Sequence, residues 1–288
     1  QVGVGVGAGH VVDELDRLHV DARVPVGGPQ RLEVAAAALV DHPRPAVGGA
    51  NLATLSALHL AHVSSIPFEN LDVLWRRGIA LDTASLQAKL VHGGRGGYCF
   101  EQNRLFALAL EAIGFDVVPL AARVRYRATR LLPRTHQLLL VTIGGERHIA
   151  DVGFGGNTLL APLPLDADAP VAQHAWRYRL VREGDLHVLQ IEATEGFVDL
   201  CAFTLERAAR PDLEMANWYV STHPASRFVT TFTVQLASPT VRRVLQNLEY
   251  TEDRGGSDVR TTPIDRDTLP ALLRDGTALV VSPLIALM

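Results

Sequence analysis

An α+β architecture is what the sequence predicts: a helical first third, an antiparallel β-rich middle and a mixed last third. Two observations carry this. Up to Ile113 the apolar residues recur at helical spacing. After Gly114 the pattern switches to period two, and glycine pairs and turn residues punctuate a series of short strands. That pattern is the mark of a small antiparallel barrel or sandwich. The division that follows places residues 1–113 in a helical domain, 114–212 in a β domain and 213–288 in a third, mixed domain.

The elements follow in order. Gly3, Gly5 and Gly7 lie in a glycine-rich start that lacks both the spacing and the preceding strand of a dinucleotide-binding loop. Helices are predicted over His10–Val20, with Val11, Leu15 and Leu18 on one face, and over Leu32–Val40. Leu52–Ser64 is a third helix, with Thr54 as its expected cap, and Pro67 prevents it from continuing. His59 and His62 lie three apart on it, but no further ligand is spaced to complete a metal site, so both are read as packing or surface histidines. Asp82 or Thr83 is expected to cap a helix over Ser85–Val91, and Phe100–Ile113 follows the glycine-rich run 93–97.

Strands are predicted over Phe115–Tyr126 and His136–Ile143, and Gly144-Gly145 is a two-residue hairpin turn that returns through Glu146–Phe154. A second hairpin joins Trp176–Arg182 to Val188–Glu192, and Phe197–Thr204 is a further strand. The last third reads as a helix near Leu213–Ser221, a strand over Val229–Leu236, a turn at Gly255-Gly256 and a helix near Thr268–Arg274.

Composition excludes several classes. The net charge of −4, the absence of a basic stripe and the 20% charged fraction give no sign of nucleic-acid binding. Lysine occurs once, at Lys89, so nearly all positive charge is arginine. Two cysteines, Cys99 and Cys201, do not make a disulfide framework, and a reducing cytoplasmic setting is expected. No signal peptide is visible, and the longest apolar stretch, Thr277–Met288, is interrupted by Pro283 and too short to span a bilayer.

Chemistry concentrates at Cys99. Four glycines and Arg95 lead into it, and a helix starts at once. Unpaired N–H groups and the positive dipole end at a helix start favour a thiolate. A lone cysteine is otherwise a small apolar core residue. The hairpin supplies what Cys99 lacks. With Gly144-Gly145 as its loop, Ile143 pairs with Glu146 and Asp151 falls opposite Leu138. His136 and Asp151 are then diagonal neighbours on one face, where a carboxylate can orient an imidazole. A cysteine, a base and an orienting acid are the parts of a thiol acyl-transfer site. The Cys99 N–H is one candidate to stabilise an oxyanion.

With these residues assembled, the chain resembles the arylamine N-acetyltransferases. The resemblance rests on Ile66-Pro67-Phe68-Glu69-Asn70-Leu71, Arg95-Gly96-Gly97-Tyr98-Cys99-Phe100-Glu101-Gln102-Asn103, Arg134-Thr135-His136, Asp151-Val152-Gly153-Phe154-Gly155-Gly156 and Ser221-Thr222-His223-Pro224, in that order. It implies a helical bundle carrying the cysteine, a β-barrel carrying histidine and aspartate, an α/β lid, and a cysteine-protease-like Cys-His-Asp core. It also implies ping-pong acetyl transfer from acetyl-CoA, a co-substrate and not a resident cofactor, to arylamines or arylhydrazines, with O-acetylation of N-hydroxyarylamines beside it and a role in xenobiotic metabolism. Carried over, Cys99 is the nucleophile, His136 the acid/base and Asp151 its orienting group. Thr135, Gly153, Phe154, Gly155 and Phe228 fall near coenzyme A; Phe100, Val124 and Phe154 line the acceptor pocket; Glu69 and Arg95 form a supporting ion pair; no metal is implied. The glycine run after Asp151 offers backbone N–H groups to pyrophosphate or simply turns the chain. Departures lie at the start, where residues 25–49 look like extra sequence. The same triad also serves amide synthases of this superfamily, and its residue order serves thiol hydrolases and transglutaminase-like enzymes.

Overall fold

The computed structural model describes residues 49–269. The predicted helices over 10–20 and 32–40, the glycine-rich start and the extra segment up to residue 48 lie outside the described residues, as does most of the predicted helix near 268–274.

Helix α1, Leu52–Ser65, buries Leu55, Leu58, His59, His62 and Val63. Its cap is Asn51, whose side chain accepts from the Thr54 N–H at 2.9 Å; Thr54, the expected cap, is instead inside the first turn. Short β1, Phe68–Glu69, and α2, Leu71–Leu74, follow. Helix α3, Thr83–Leu86, is capped by Asp82 and runs on as a π-helical turn over Gln87–His92. Helix α4, Cys99–Ile113, begins one residue earlier than the apolar pattern suggests and ends at Gly114, whose φ of 105° only glycine adopts readily.

The middle of the chain is β2 Asp116–Val124, β3 His136–Ile143, β4 Glu146–Ala150, β5 Leu163–Pro164, β6 Val171–Gln173, β7 Trp176–Glu183, β8 Leu186–Ala193 and β9 Gly196–Arg207. All pair antiparallel, in the order β5-β4-β3-β2-β9-β8-β7-β6, and the sheet curls into a nearly closed barrel. One side chain bridges the gap between its edges. Gln173 of β6 accepts from the N–H groups of Leu160 and Ala161 and donates to the Ala161 carbonyl, just ahead of β5. The register predicted for the first hairpin holds: Ile143 pairs with Glu146 and Leu139 with Ala150. The return strand stops at Ala150, four residues short of expectation, because the chain turns at Asp151 to enter the site.

Helix α5, Arg210–Thr222, leads to a 3₁₀ turn, Arg227–Val229, and then to β10 Thr233–Ala237, β11 Arg242–Gln246, β12 Glu249–Asp253 and β13 Val259–Pro263. The strand expected from Val229 starts at Thr233, and β11 to β13 were not anticipated: their polar, arginine-rich sequences show no clean alternation. These strands form a second sheet, β1-β10-β11-β12-β13, to which the helical third contributes β1. Asn70 strengthens that tie by donating to the carbonyls of Phe228 and Thr231 and accepting from the Thr233 N–H. The largest apolar core lies between the barrel and helices α1 and α4, with Leu55, Leu58, Phe106 and Leu110 against Leu120, Leu138 and Ala150.

Candidate active site

Cys99 is the first residue of α4 and is nearly buried. Its placement is built from three sides. The Glu101 carboxylate accepts from the Tyr98 N–H at 3.0 Å, closing the helix start one residue before the sulfur. The glycines in front pack backbone to backbone: Gly97 N–H donates to the Pro67 carbonyl, and its own carbonyl accepts from Glu69. A Cβ on Gly96 would come within 2.0 Å of that Pro67 oxygen, so only glycine permits the contact. Behind them lies a cluster of charges. Arg95 donates to Glu69 at 2.7 and 3.0 Å and to Asp72 at 3.4 Å, and Lys89 lies 2.7 Å from both Asp72 and Glu101. Arg77, 4.0 Å from Asp72, adds a third cation at the edge of the three carboxylates. Burial works against charge on Lys89 and Arg95, yet these acids hold both cations above their ordinary pKa. Burial pushes Glu101 above the usual carboxylate range, against the pull of Lys89.

His136 opens β3, and Asp151 follows β4 at the open end of the same hairpin, as the register requires. Both are buried, with His136 Nε2 2.7 Å from Asp151 Oδ2. With Nε2 taken, Nδ1 is the nitrogen left for Cys99, whose thiol is near enough to act on the ring's charge. The thiol also lies 3.8 Å from the Thr135 carbonyl. Burial disfavours an imidazolium, but the Asp151 carboxylate, its hydrogen bond and Cys99 outweigh it and raise the His136 pKa to about 10. Asp151 moves the other way. Burial would raise it, and His136, Asn103 and the Gly153 N–H together hold it below the usual carboxylate range.

The aspartate is tied at every polar atom. Oδ1 accepts from Asn103 at 3.0 Å and Gly153 N–H at 2.9 Å, the carbonyl from Thr158 at 2.6 Å, and the Asp151 N–H donates to His59 Nε2 at 3.2 Å. His59 must therefore be neutral with Nε2 as acceptor. Burial agrees, lowering its pKa to about 3 against the pull of Asp151. Thr158 is held in turn by Tyr178, which donates to its carbonyl at 2.6 Å, and by the buried Arg242, which donates to Tyr178 and lies 3.3 Å from the same carbonyl. The strands around Asp151 thus include β3, β4 and β7 of the barrel and, through Arg242, β11 of the second sheet.

The remaining predicted residues fall as follows. Phe154 stands edge-on to His136 with ring centres 5.1 Å apart, and Phe228 packs against Tyr98 and Phe68 at 5.9 Å. Thr135 and Gly153 touch the cysteine: a Cβ on Gly153 would lie 2.8 Å from the Cys99 Cα. Phe100 is fully buried beneath the cysteine, among Phe68, Tyr98, Leu213 and Val220. Val124 ends β2 opposite Cys201. In the glycine turn Val152 N–H donates to Asn103, Gly153 N–H to Asp151 and Gly156 N–H to Gln235, so these three amides tie the turn to the protein. Among the described residues no group of His, Cys, Asp and Glu side chains is placed to hold a metal, and no helix is long and apolar enough to cross a membrane.

The sequence pattern gives no role to Asn103, Lys89, Asp72 or Glu101, and reads His59 as a packing or surface histidine. Signals existed for two of them. Asn103 lies four residues after Cys99, on the same helix face, and Lys89 is the chain's single lysine.

A family model described as N-acetyltransferase matches residues 51–284. An arylamine N-acetyltransferase of Mycolicibacterium smegmatis is 43% identical over 222 residues, which span 75% of this chain and 78% of the relative. A Salmonella typhimurium protein named arylamine N-acetyltransferase / N-hydroxyarylamine O-acetyltransferase is 45% identical over 183 residues, 63% of this chain and 65% of its own. The solved structure of the Mycobacterium marinum arylamine N-acetyltransferase in complex with CoA superposes with a TM-score of 0.75 at 32% identity, over 82% of this chain and 88% of that one. The chain belongs to the arylamine N-acetyltransferase family.

Proposed function

From that membership we propose that the chain transfers acetyl groups from acetyl-CoA to arylamines and arylhydrazines, and to the hydroxyl of N-hydroxyarylamines, through an acetyl-Cys99 intermediate. The observation that carries the mechanism is the buried Asp151–His136 pair set against a cysteine at a helix start. In the first half-reaction the Cys99 thiolate attacks the thioester carbonyl carbon, and the Cys99 N–H, which has no intrahelical acceptor at this position, meets the developing oxyanion. The C–S bond to coenzyme A then breaks, and the imidazolium of His136 gives the departing sulfur its proton. In the second, the amine nitrogen attacks the acetyl-cysteine, His136 takes the nitrogen's proton, and the Cys99 thiolate leaves. Asp151 keeps the ring in one tautomer and favours its charged form. The chain would thus work in three parts: residues 1–113 present the thiol, 114–212 the histidine and aspartate, and 213–288 cover the site. A cytoplasmic setting and a role in acetylating foreign aromatic amines fit this chemistry.

Mass spectrometry after incubation with acetyl-CoA tests the reading. A gain of about 42 daltons on the peptide containing Cys99, discharged by added arylamine, is the expected covalent intermediate. An adduct absent, or present but not discharged by any arylamine, would turn the reading toward an amide synthase or a thiol hydrolase.

A further inference from the structure

Arg242 is the largest fully buried side chain among the described residues, 1% exposed, and no carboxylate among them lies within ion-pair distance of it. Asp253, opposite it on β12, accepts instead from Trp176 Nε1 at 3.3 Å and from the Gly255 N–H at 2.8 Å. A buried cation without an acid is costly, and an apolar side chain of similar size would fill the space at less cost. Neutral groups meet the charge here. The guanidinium lies over the Trp176 ring, 4.0 Å from its centre. It donates to the Tyr178 hydroxyl and to the Thr158 carbonyl at 3.3 Å, and its Nη1 lies 3.5 Å from Asn157 Oδ1. Tyr178 passes its own proton to the same Thr158 carbonyl at 2.6 Å. The polar contacts of Arg242 therefore converge on residues 157 and 158.

That segment is the far end of the turn that begins at Asp151. The Thr158 hydroxyl donates to the Asp151 carbonyl at 2.6 Å, and the Thr158 N–H donates to the Gly155 carbonyl at 2.9 Å, so Thr158 closes the turn on itself. The second sheet backs the turn at two more points. Gly156 N–H donates to Gln235 of β10, and a Cβ on Gly156 would come within 2.7 Å of Val244 of β11. At the near end Asp151 Oδ2 stands 2.7 Å from His136 Nε2. One hydrogen bond separates Arg242 from Thr158, one separates Thr158 from Asp151, and one separates Asp151 from the imidazole. A displacement of Thr158 is thus carried to the carboxylate, and small misplacements of a catalytic group cost large factors in rate.

We propose that Arg242 is a positioning residue for the chemistry at Cys99: from the second sheet it holds Thr158, and through Thr158 it holds the Asp151 carboxylate against His136. This rests on the acetyl-Cys99 reading above. Arg242 touches neither substrate nor reacting atoms. Its task gives the second sheet a part in building the aspartate's geometry, apart from covering the site.

Arg242→Met removes the charge and its hydrogen bonds and keeps most of the bulk. Well below its melting temperature, the maximal rate of acetyl-Cys99 formation should fall about tenfold or more, while the acetyl-CoA concentration giving half that rate stays within about twofold. Alkylation of Cys99 by iodoacetamide should slow by a similar factor. Tyr178→Phe and Thr158→Val each remove one hydroxyl and should slow both reactions; Thr158→Ser keeps the hydroxyl and should restore them. These variants carry the test if Arg242→Met does not fold. Adding Arg242→Met to Thr158→Val should lower the rates little further, because both act along one route. Arg243→Gln, whose parent side chain pairs with Glu252 at 3.3 Å, is the control and should leave the rates unchanged. A lower melting temperature with unchanged rates would make Arg242 a packing residue and overturn the proposal, as would losses that multiply in the double variant. The wild type separates the two ideas. If acetyl-CoA leaves no adduct on Cys99, the acetyl-transfer reading falls, and the alkylation rates still judge Arg242. If the adduct forms and neither rate responds to the substitutions, the positioning role alone falls.

Discussion

Cys99 and Cys201 are both buried thiols, 4% and 0% exposed, and the chain has no others. Their surroundings make opposite chemistry of them. Cys201 sits within β9 between Val124 of β2 and Leu189 of β8, in the apolar core. Burial and the charge of Asp151 raise its pKa well above the ordinary thiol value. The pull of Arg125 toward a thiolate is outweighed, so Cys201 packs as a small apolar side chain. Cys99 is nearly as dry, but it begins a helix and lies beside a histidine whose pKa Asp151 raises. Desolvation alone silences a thiol; a helix start and a neighbouring imidazole are the surroundings that the proposed nucleophile needs.

The strongest way to break the contrast is to remove the sulfur that is predicted to react. Cys99→Ala should abolish the adduct and lower arylamine turnover by about four orders of magnitude or more, as loss of a covalent nucleophile does. The melting temperature should stay near that of the wild type, because a methyl group fits where the thiol sat. Substantial turnover by this variant would mean that the reacting group is elsewhere.

Asp151→Asn tests the second half of the contrast, the charge that reaches Cys99 through His136. Asparagine keeps the shape of the turn but cannot hold the ring in its charged form. Turnover should fall about a thousandfold or more, and the rate of Cys99 alkylation should fall with it. A variant that alkylates at the wild-type rate would show that the helix start alone activates the thiol.

Much of this contrast was legible in the sequence. The Gly144-Gly145 turn fixes the pairing of β3 with β4, and that pairing places His136 beside Asp151 without reference to anything else in the chain. The glycine run announced Cys99 in the same way. What escaped were contacts between segments far apart in sequence. Asp72, Lys89 and Glu101 meet only once α2, the π-helical turn and α4 have folded together. Likewise β11 joins a sheet whose first strand lies more than 170 residues earlier in the chain, and Arg242 reaches Thr158 only through that assembly. Local pattern carries no information about such pairings.

The two histidines that touch Asp151 sharpen the comparison through pH. His59 is held neutral, its pKa lowered from 6.5 to about 3, so the unfolded chain binds more protons below pH 6.5. Its contribution to stability is present above pH 6.5 and is lost as pH falls toward 3. His136 is raised from 6.5 to about 10, so its contribution is present below pH 6.5 and is lost as pH rises toward 10. Each is worth on the order of a few kcal/mol. Melting temperatures measured across this range should show His59→Gln flattening the acid limb and His136→Gln the alkaline limb. The same limb flattened by both variants would mean that one of the two charge states is assigned wrongly.

Cys201→Ala should change activity least, and for that reason it isolates what burial alone does. The substitution removes one sulfur from a filled core and leaves a small void, at a cost of about 1–2 kcal/mol, read as a lower melting temperature. Turnover should stay within about a factor of two, since Cys201 touches neither His136 nor the thiol that reacts. Alkylating reagents under native conditions should label the wild type once, at Cys99, and label Cys99→Ala not at all. Cys201 would then appear only on unfolding, when water reaches it and its thiolate becomes accessible. Native labelling of Cys201 at a rate comparable to Cys99 would mean that the core opens readily, and a loss of turnover as deep as that of Asp151→Asn would mean that the strand beneath Val124 positions the site directly.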